Sequence, residues 1–395
     1  MSQQPRRIAC RSLPGAHILV HESMDGLEDA WRSLAERSNC HVFQTWEWNA
    51  AWFECIGRAA GVKPRIVQLV DARDQILALW PLGLYRRGAL RVLAFLGDVV
   101  SDYRAPLLAP GFADSMREGE FARVWRECER AATGGDLVAL ERMPARLDSC
   151  ANPMAALPGA IHTENAHAAR LPASVDAYMA QRSKQLLAAL RRKVRRLSDS
   201  GELTFTPAHD RQTESQALAA VIRLKSRRWR ETGSRDLFAE PAYLAFYRTL
   251  TERYGHGGMV SLCSLKVGDT IVAAQWGMVL RGRYYWILPG YETGEWLKRS
   301  CGQVLLHRML EWSIDSGLQV FDMTVGDEAY KKDWANEQLA LYSWYRARTP
   351  LGWAFLLRRR LDAAARRIPW LRRWGRAVKR TFGTTPGRPP ADTSE

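Results

Sequence analysis

The stretch Val320–Trp334, VFDMTVGDEAYKKDW, passes from an apolar run through a glycine into acids, a tyrosine, two lysines and a tryptophan. Asp322, Asp327 and Glu328 could take a proton from an incoming amine or hydroxyl. A carboxylate does so near neutral pH only when burial or a second acid raises its pKa. Lys331 follows a glycine turn and adjoins an aromatic residue. It supplies a point charge suited to a phosphate or a developing oxyanion, whereas Lys332 reads as solvent-facing. Tyr330 holds its proton at neutral pH and so has one to give. Plainer roles stay open: an N-cap or ion pair for the acids, a solvated lysine, a tyrosine at a core edge.

A second candidate is Ser300-Cys301-Gly302, which opens a leucine-rich helical run at Gln303. Unpaired N–H groups and the helix dipole make such a start attractive to an anion. Ser300 is an acceptable N-cap, and Gly302 would let backbone approach a phosphate. An ordinary capped helix fits the same residues. Trp229, Trp276, Trp286 and Tyr291 could wall a sugar or acyl cleft, or simply pack a core. Arg228 could hold an acidic substrate group, and His307, alone inside a helix, reads as structural. No Ser/His/Asp or Cys/His signature stands out, which argues against a covalent enzyme intermediate.

Two parts of the chain share an order of elements that would position these residues. Arg65–Gly97 and Met259–Gly290 each read strand, turn, strand, turn, strand, with turns at Arg73-Asp74, Gly268-Asp269 and Arg281-Gly282. Each meander leads to an amphipathic helix, Glu120–Ala131 or Gly302–Ser316, and then to a strand, Leu137–Glu141 or Gln319–Met323. Helical sequence precedes each meander: Leu27–Arg37 and Gln44–Ile56, then Val175–Ser198 and Ser215–Arg230. The reading is a duplicated mixed α/β unit. Cys150–Leu171, without a clear period, reads as the connection. The predicted division is 1–160, 161–350 and a tail, 351–395.

A chain of 395 residues suits two such cores. Seven scattered cysteines without a C-x-x-C pair argue against a disulfide framework or a zinc site and fit a reducing cytoplasm. The first residues lack an apolar export core, and no run approaches the roughly 18 apolar residues of a membrane span, so a cytosolic protein is expected. Net charge is +15, and ten Arg or Lys against one Asp between Leu351 and Arg380 supply most of it. In the tail, Trp353–Phe382, apolar residues alternate with arginine clusters up to and beyond Pro369. That is the profile of a helix lying on anionic lipid, and it predicts attachment to the inner face of the cell membrane. The closing RPPADTSE reads as disordered. Arg182–Arg196 combines a leucine stripe with a cationic face, suited to a phosphate-bearing substrate, tRNA or a membrane. No compact DNA-recognition motif appears.

The order meander, loop, helix, strand resembles the GNAT acyltransferase core. More closely, the chain resembles the CelD-type acetyltransferases of bacterial polysaccharide gene clusters, relatives of the Fem-type peptidyltransferases with two GNAT-like domains. The residues that carry this are Arg228-Trp229 followed by Gly233, Ser300-x-Gly302, Gly317 leading to Phe321-Asp322, and Gly326-x-Glu328-x-Tyr330-Lys331. Phe43–Trp52 resembles the group's N-terminal aromatic helix, and Cys301 departs from its pattern by standing where proline is expected. The resemblance covers Val175–Arg348 best and Ala30–Met143 more loosely, so the first domain reads as degenerate. It implies an acetyl-CoA or longer acyl-CoA co-substrate, no metal, and a pyrophosphate held at Ser300–Gln303. Meander amides would polarise the thioester carbonyl and Tyr330 would protonate the departing thiolate. The acceptor would be a saccharide or its carrier-linked precursor. An aminoacyl-tRNA-dependent peptidyltransferase and a non-catalytic scaffold remain as alternatives.

Overall fold

The computed structural model describes residues 5–367. The first half comprises β1 (Arg6–Ala9), β2 (His17–His21), α1 (Glu28–Arg37), α2 (Trp46–Trp52), β3 (Lys63–Val70), β4 (Ile76–Arg87), β5 (Leu90–Phe95), β6 (Leu107–Leu108), α3 (Glu120–Ala131), β7 (Leu137–Pro144), β8 (Arg146–Leu147) and β9 (Cys150–Ala151). The second comprises β10 (Ile161–Arg170), α4 (Val175–Ala180), α5 (Lys184–Ser198), β11 (Leu203–Pro207), α6 (Arg211–Thr232), α7 (Pro241–Tyr254), β12 (Val260–Val267), β13 (Thr270–Leu280), β14 (Arg283–Tyr291), α8 (Glu295–Lys298), α9 (Cys301–Asp315), β15 (Val320–Val325), α10 (Ala329–Trp334) and β16 (Glu337–Ala347). Helix α11 (Pro350–Arg367) follows; the tail residues from Ile368 onward lie outside the described part.

One 14-stranded sheet carries both halves, in the order β1-β2-β3-β4-β5-β7-β16-β10-β15-β14-β13-β12-β11, with β6 beside β4. The meanders β3-β4-β5 and β12-β13-β14 are antiparallel, as their turns predict. Arg281 and Gly282 both take positive φ, which a two-residue hairpin needs. Each meander then meets its post-helix strand in parallel, β5 with β7 and β14 with β15. At the centre the halves exchange strands. β10 follows β7 in sequence yet pairs with β15, while β16 lies between β7 and β10.

Apolar alternation along the strands sorts the helices to two faces. On one face a core joins both halves: Trp31, Trp48 and Trp52 from α1 and α2 meet Leu224, Phe246 and Leu250 from α6 and α7. On the other, α3 covers the first half and α9, α4 and α5 cover the second. A polar seam ties the halves. Tyr103 donates to Asp322 at 2.6 Å, Arg283 bridges Asp322 (3.1 Å) and Asp148 (2.7 Å), and His41 meets the Tyr285 hydroxyl at 3.2 Å.

Three local expectations need correction. Cys150–Leu171 contains β10, a central strand rather than only a connection. Val175–Ser198 is two helices, because Ser183 caps α5 by accepting from the Leu186 N–H (3.1 Å) and ends the earlier turn. Gln44–Ile56 begins in a 3₁₀ turn and ends in a π-helical segment, Phe53–Gly57.

Candidate active site

Strands β14 and β15 pair only over Arg283–Tyr285 and Val320–Asp322. Beyond Tyr285 they part, so an edge of β14 loses its partner on that side and its backbone polar groups face the gap. A cleft of about 480 Å³ opens there, within the range of small-molecule sites. Its walls include Trp286, Leu288 and Tyr291 of β14, Thr324 and Val325 of β15, Leu305 and Leu306 of α9, and Trp229 of α6. Ser300, Gly302 and Gln303 stand at one part of it, and Glu328, Tyr330 and Lys331 at another. The helix start and the tyrosine–lysine corner thus share one space.

The helix start differs in detail from the expectation. Ser300 sits at the N-cap position of α9, but with left-handed backbone (φ 60°) and no side-chain cap. Its carbonyl accepts from the N–H groups of Gln303 and Val304. The first turn of α9 contains no acid, so nothing of its own offsets the positive end of the dipole. A Cβ at Gly302 would stand 3.0 Å from the Tyr291 ring, so glycine here lets that ring close on the helix. Cys301 does not line the cleft. It is fully buried, its thiol faces the Glu292 carbonyl, and burial pushes its pKa up to about 12. Gln303 accepts from Lys193 of α5.

At the other corner the backbone is bent sharply. Thr324 has φ 58°, a costly value for a β-branched residue. Its N–H donates to Asp322 (2.9 Å), and its carbonyl faces the Lys331 ammonium. Lys331 is buried; it donates to the Val325 carbonyl (2.8 Å) and lies 3.0 Å from Glu328. Gly326 has φ 129°, and any Cβ there would strike the Glu328 carboxylate. The glycine, acid and lysine therefore form one turn, which presents Tyr330 to the cleft.

Some expected site residues lie elsewhere. Asp322 is buried beneath the cleft, and its carboxylate is engaged by Tyr103, Arg283 and the Thr324 N–H; it braces the strained turn. Arg228 is absent from the lining, because its place on α6 turns it away from the wall that Trp229 occupies. Trp276 belongs to the core shared by the halves, with its indole N–H on Thr251 (2.9 Å). His307 packs against Trp334, its pKa lowered by burial.

Sequence reasoning missed the opposite wall. Asp102, Arg142, Glu164 and Asn165 line the cleft from the first half and from β10. Arg142 bridges Asp102 (3.1 Å) and Glu164 (3.2 Å). Desolvation raises the Asp102 pKa despite the opposing charges of Arg142 and Lys331, the direction a general base needs. Asp327 meets His167 at 3.0 Å, and that hydrogen bond lowers its pKa. Only adjacency to Tyr103 in SDYRAP marks Asp102 in the sequence. Lys225 lies 5.5 Å from the Trp229 ring and completes the rim.

The fold is a mixed α/β fold in which one order of elements is repeated along a single large sheet, followed by a helix. It is similar to the solved structure of FemX, with TM-score 0.52, 11% identity, 79% of this chain covered and 95% of that one. A conserved protein of unknown function from Bacteroides thetaiotaomicron VPI-5482 gives 0.50 at 10% identity, covering 82% and 98%. A tandem GNAT protein from the clavulanic acid biosynthesis pathway gives 0.47 at 12%, covering 85% and 99%. At these identities the likeness is one of fold. No curated protein sequence matches the chain. Residues 183–332, which include the α9 mouth and the Tyr330-Lys331 corner, match the family model described as an acetyltransferase (GNAT) domain.

Proposed function

We propose that the chain is an acyl-CoA-dependent acyltransferase that modifies an amino or hydroxyl group on a saccharide or a carrier-linked precursor, as the CelD-type group does. The observation that carries this is the single cleft joining a helix start without an acid, an unpaired strand edge and the Tyr330-Lys331 corner. A pyrophosphate suits the α9 mouth. The amide-bearing arm of the donor suits the β14 edge, because an extended chain can pair with free strand N–H and C=O groups. The acceptor enters from the Asp102–Glu164 wall, and its nitrogen or oxygen attacks the thioester carbonyl carbon. Asp102 takes the acceptor's proton, the C–S bond breaks, and the sulfur receives the Tyr330 proton, which solvent restores. Lys331 acts mainly by fixing the turn that aims Tyr330.

Calorimetry and thermal unfolding with acetyl-CoA and longer acyl-CoAs test the reading. Heat of binding and a raised Tm are expected; the absence of both with every acyl-CoA overturns it. A second reading, an aminoacyl-tRNA donor, draws on Arg191, Arg192, Arg195 and Arg196, all exposed on α5, whose Lys193 reaches Gln303. A polyanion could track that face. Transfer abolished by ribonuclease would favour it.

A further inference from the structure

Seven large apolar side chains are exposed among the described residues, and four of them are on α11: Leu351, Trp353, Leu357 and Leu361. Trp353, Leu357 and Leu361 recur every four residues, so they form one stripe. Each is about 60% exposed: 62%, 60% and 61%. The inner side of the helix is already used. Phe355 and Leu356 pack on Leu90, Val92, Ala94, Leu137 and Ala139, and buried Gly352 lies against the Asp136 carbonyl. Arg359 is also engaged, stacked 3.9 Å from the Tyr345 ring centroid and bonded to Glu141. Its neighbours Arg358 and Arg360 are exposed and have no acidic partner among the described residues.

We propose that the outer face of α11 docks on an anionic lipid bilayer. Charge complementarity selects this occupant. A nucleic acid would use the arginines but gain little from the Trp353-Leu357-Leu361 stripe. A protein groove would use the stripe, but the excess of nine cations across Leu351–Arg380 calls for an extended anionic surface. A bilayer rich in acidic headgroups satisfies both, with tryptophan and leucine in the acyl boundary and arginines at the phosphates. Docking would also bring the cleft near the membrane. Tyr345, under Arg359, adjoins Ser343, whose hydroxyl meets Thr163 at 3.0 Å, and Thr163 lines the cleft. The exposed apolar residues outside α11 follow the same side: Val99 and Leu297 are on the cleft lining, and Ile161 pairs with Ser343.

The test is sedimentation of the full chain with phosphatidylcholine vesicles, with or without about a third phosphatidylglycerol. The parent chain should pellet with the anionic vesicles and stay largely free of the neutral ones. Trp353→Ser with Leu357→Ser should lower partitioning at least about tenfold. Arg358→Gln with Arg360→Gln should lower it roughly tenfold and flatten its salt dependence. Unchanged binding in both double variants, equal binding to neutral vesicles, or binding to RNA with none to vesicles would each overturn the proposal. Docking does not require acyl transfer. Thermal protection by acyl-CoA, measured on the same samples, should match the parent, which separates lost docking from misfolding and from failure of the catalytic reading.

Discussion

Helices α3 and α9 occupy equivalent places, each between a meander and the parallel strand that follows, and they differ at their first turn. α3 starts with Glu120, whose carboxylate accepts from the Arg117 N–H at 3.0 Å. It therefore brings its own anion to the positive end of its dipole. α9 starts with Cys-Gly-Gln and brings none. The spaces beside them differ as well. Beside α3, Trp80, Phe95, Phe121, Trp125, Met143, Met154 and Leu157 fill one core, with Trp80 and Trp125 5.6 Å apart. Beside α9, the strands part and leave the cleft. A helix start becomes a candidate anion site only when its charge is left unanswered and the adjoining volume is left empty. The first half fails both conditions and serves the second by supplying Asp102 and Arg142 across the seam.

The largest expected effect concerns the turn that the first half lacks. Lys331→Met removes the counter-ion of Glu328 and the donor to Val325, and should cost roughly 3–5 kcal/mol. An unchanged denaturation midpoint would show that the turn is held otherwise. Next comes the seam. Burial lowers the His41 pKa to about 4 from its ordinary 6.5. Between those values the unfolded chain takes up a proton that the folded chain refuses, so stability is full above pH 6.5 and falls as pH drops toward 4. The loss is on the order of 3 kcal/mol. His41→Phe should flatten this slope in denaturant titrations at several pH values; an identical slope would assign the acid sensitivity elsewhere.

Tyr330→Phe should lower kcat about 100-fold while leaving acyl-CoA affinity unchanged, since only proton donation is removed. Equal turnover would exclude Tyr330 from the chemistry. Gln303→Glu makes the first turn of α9 resemble that of α3 and sequesters Lys193. It should weaken acyl-CoA binding about fivefold by calorimetry; tighter or equal binding would detach the donor from this mouth. The smallest effect is the reverse change. Glu120→Gln should alter stability by less than about 1 kcal/mol and create no acyl-CoA binding in α3, because the space beside it is filled.

Much of the fold was legible because local patterns agreed with it. The helix over Glu120–Ala131 and the two meanders fall where apolar period and turn residues put them. β10 was not legible. Its polar residues Thr163, Glu164 and Asn165 face the cleft, and the alanines that follow them, Ala166, Ala168 and Ala169, carry little hydrophobic signal. In the site, Gly326-x-Glu328-x-Tyr330-Lys331 pointed to a corner that lies on the cleft, but the spacing could not show that Lys331 is spent on holding Glu328 and two carbonyls. Nor could it separate Asp322, sealed by Tyr103 and Arg283, from Asp102, which faces the cleft.

The amino-acid order by itself determined the repeated unit, its turns, and the contrast between an acid at the start of α3 and none at the start of α9. These depend on neighbours a few residues apart, through backbone conformation, side-chain period and the helix dipole. Tertiary structure alone decided that β10 and β16 would exchange between halves, that β14 and β15 would part, and that Asp102 would face Lys331 from far along the chain. Those outcomes depend on burial and desolvation, which belong to surfaces brought together by packing and to no short stretch of residues.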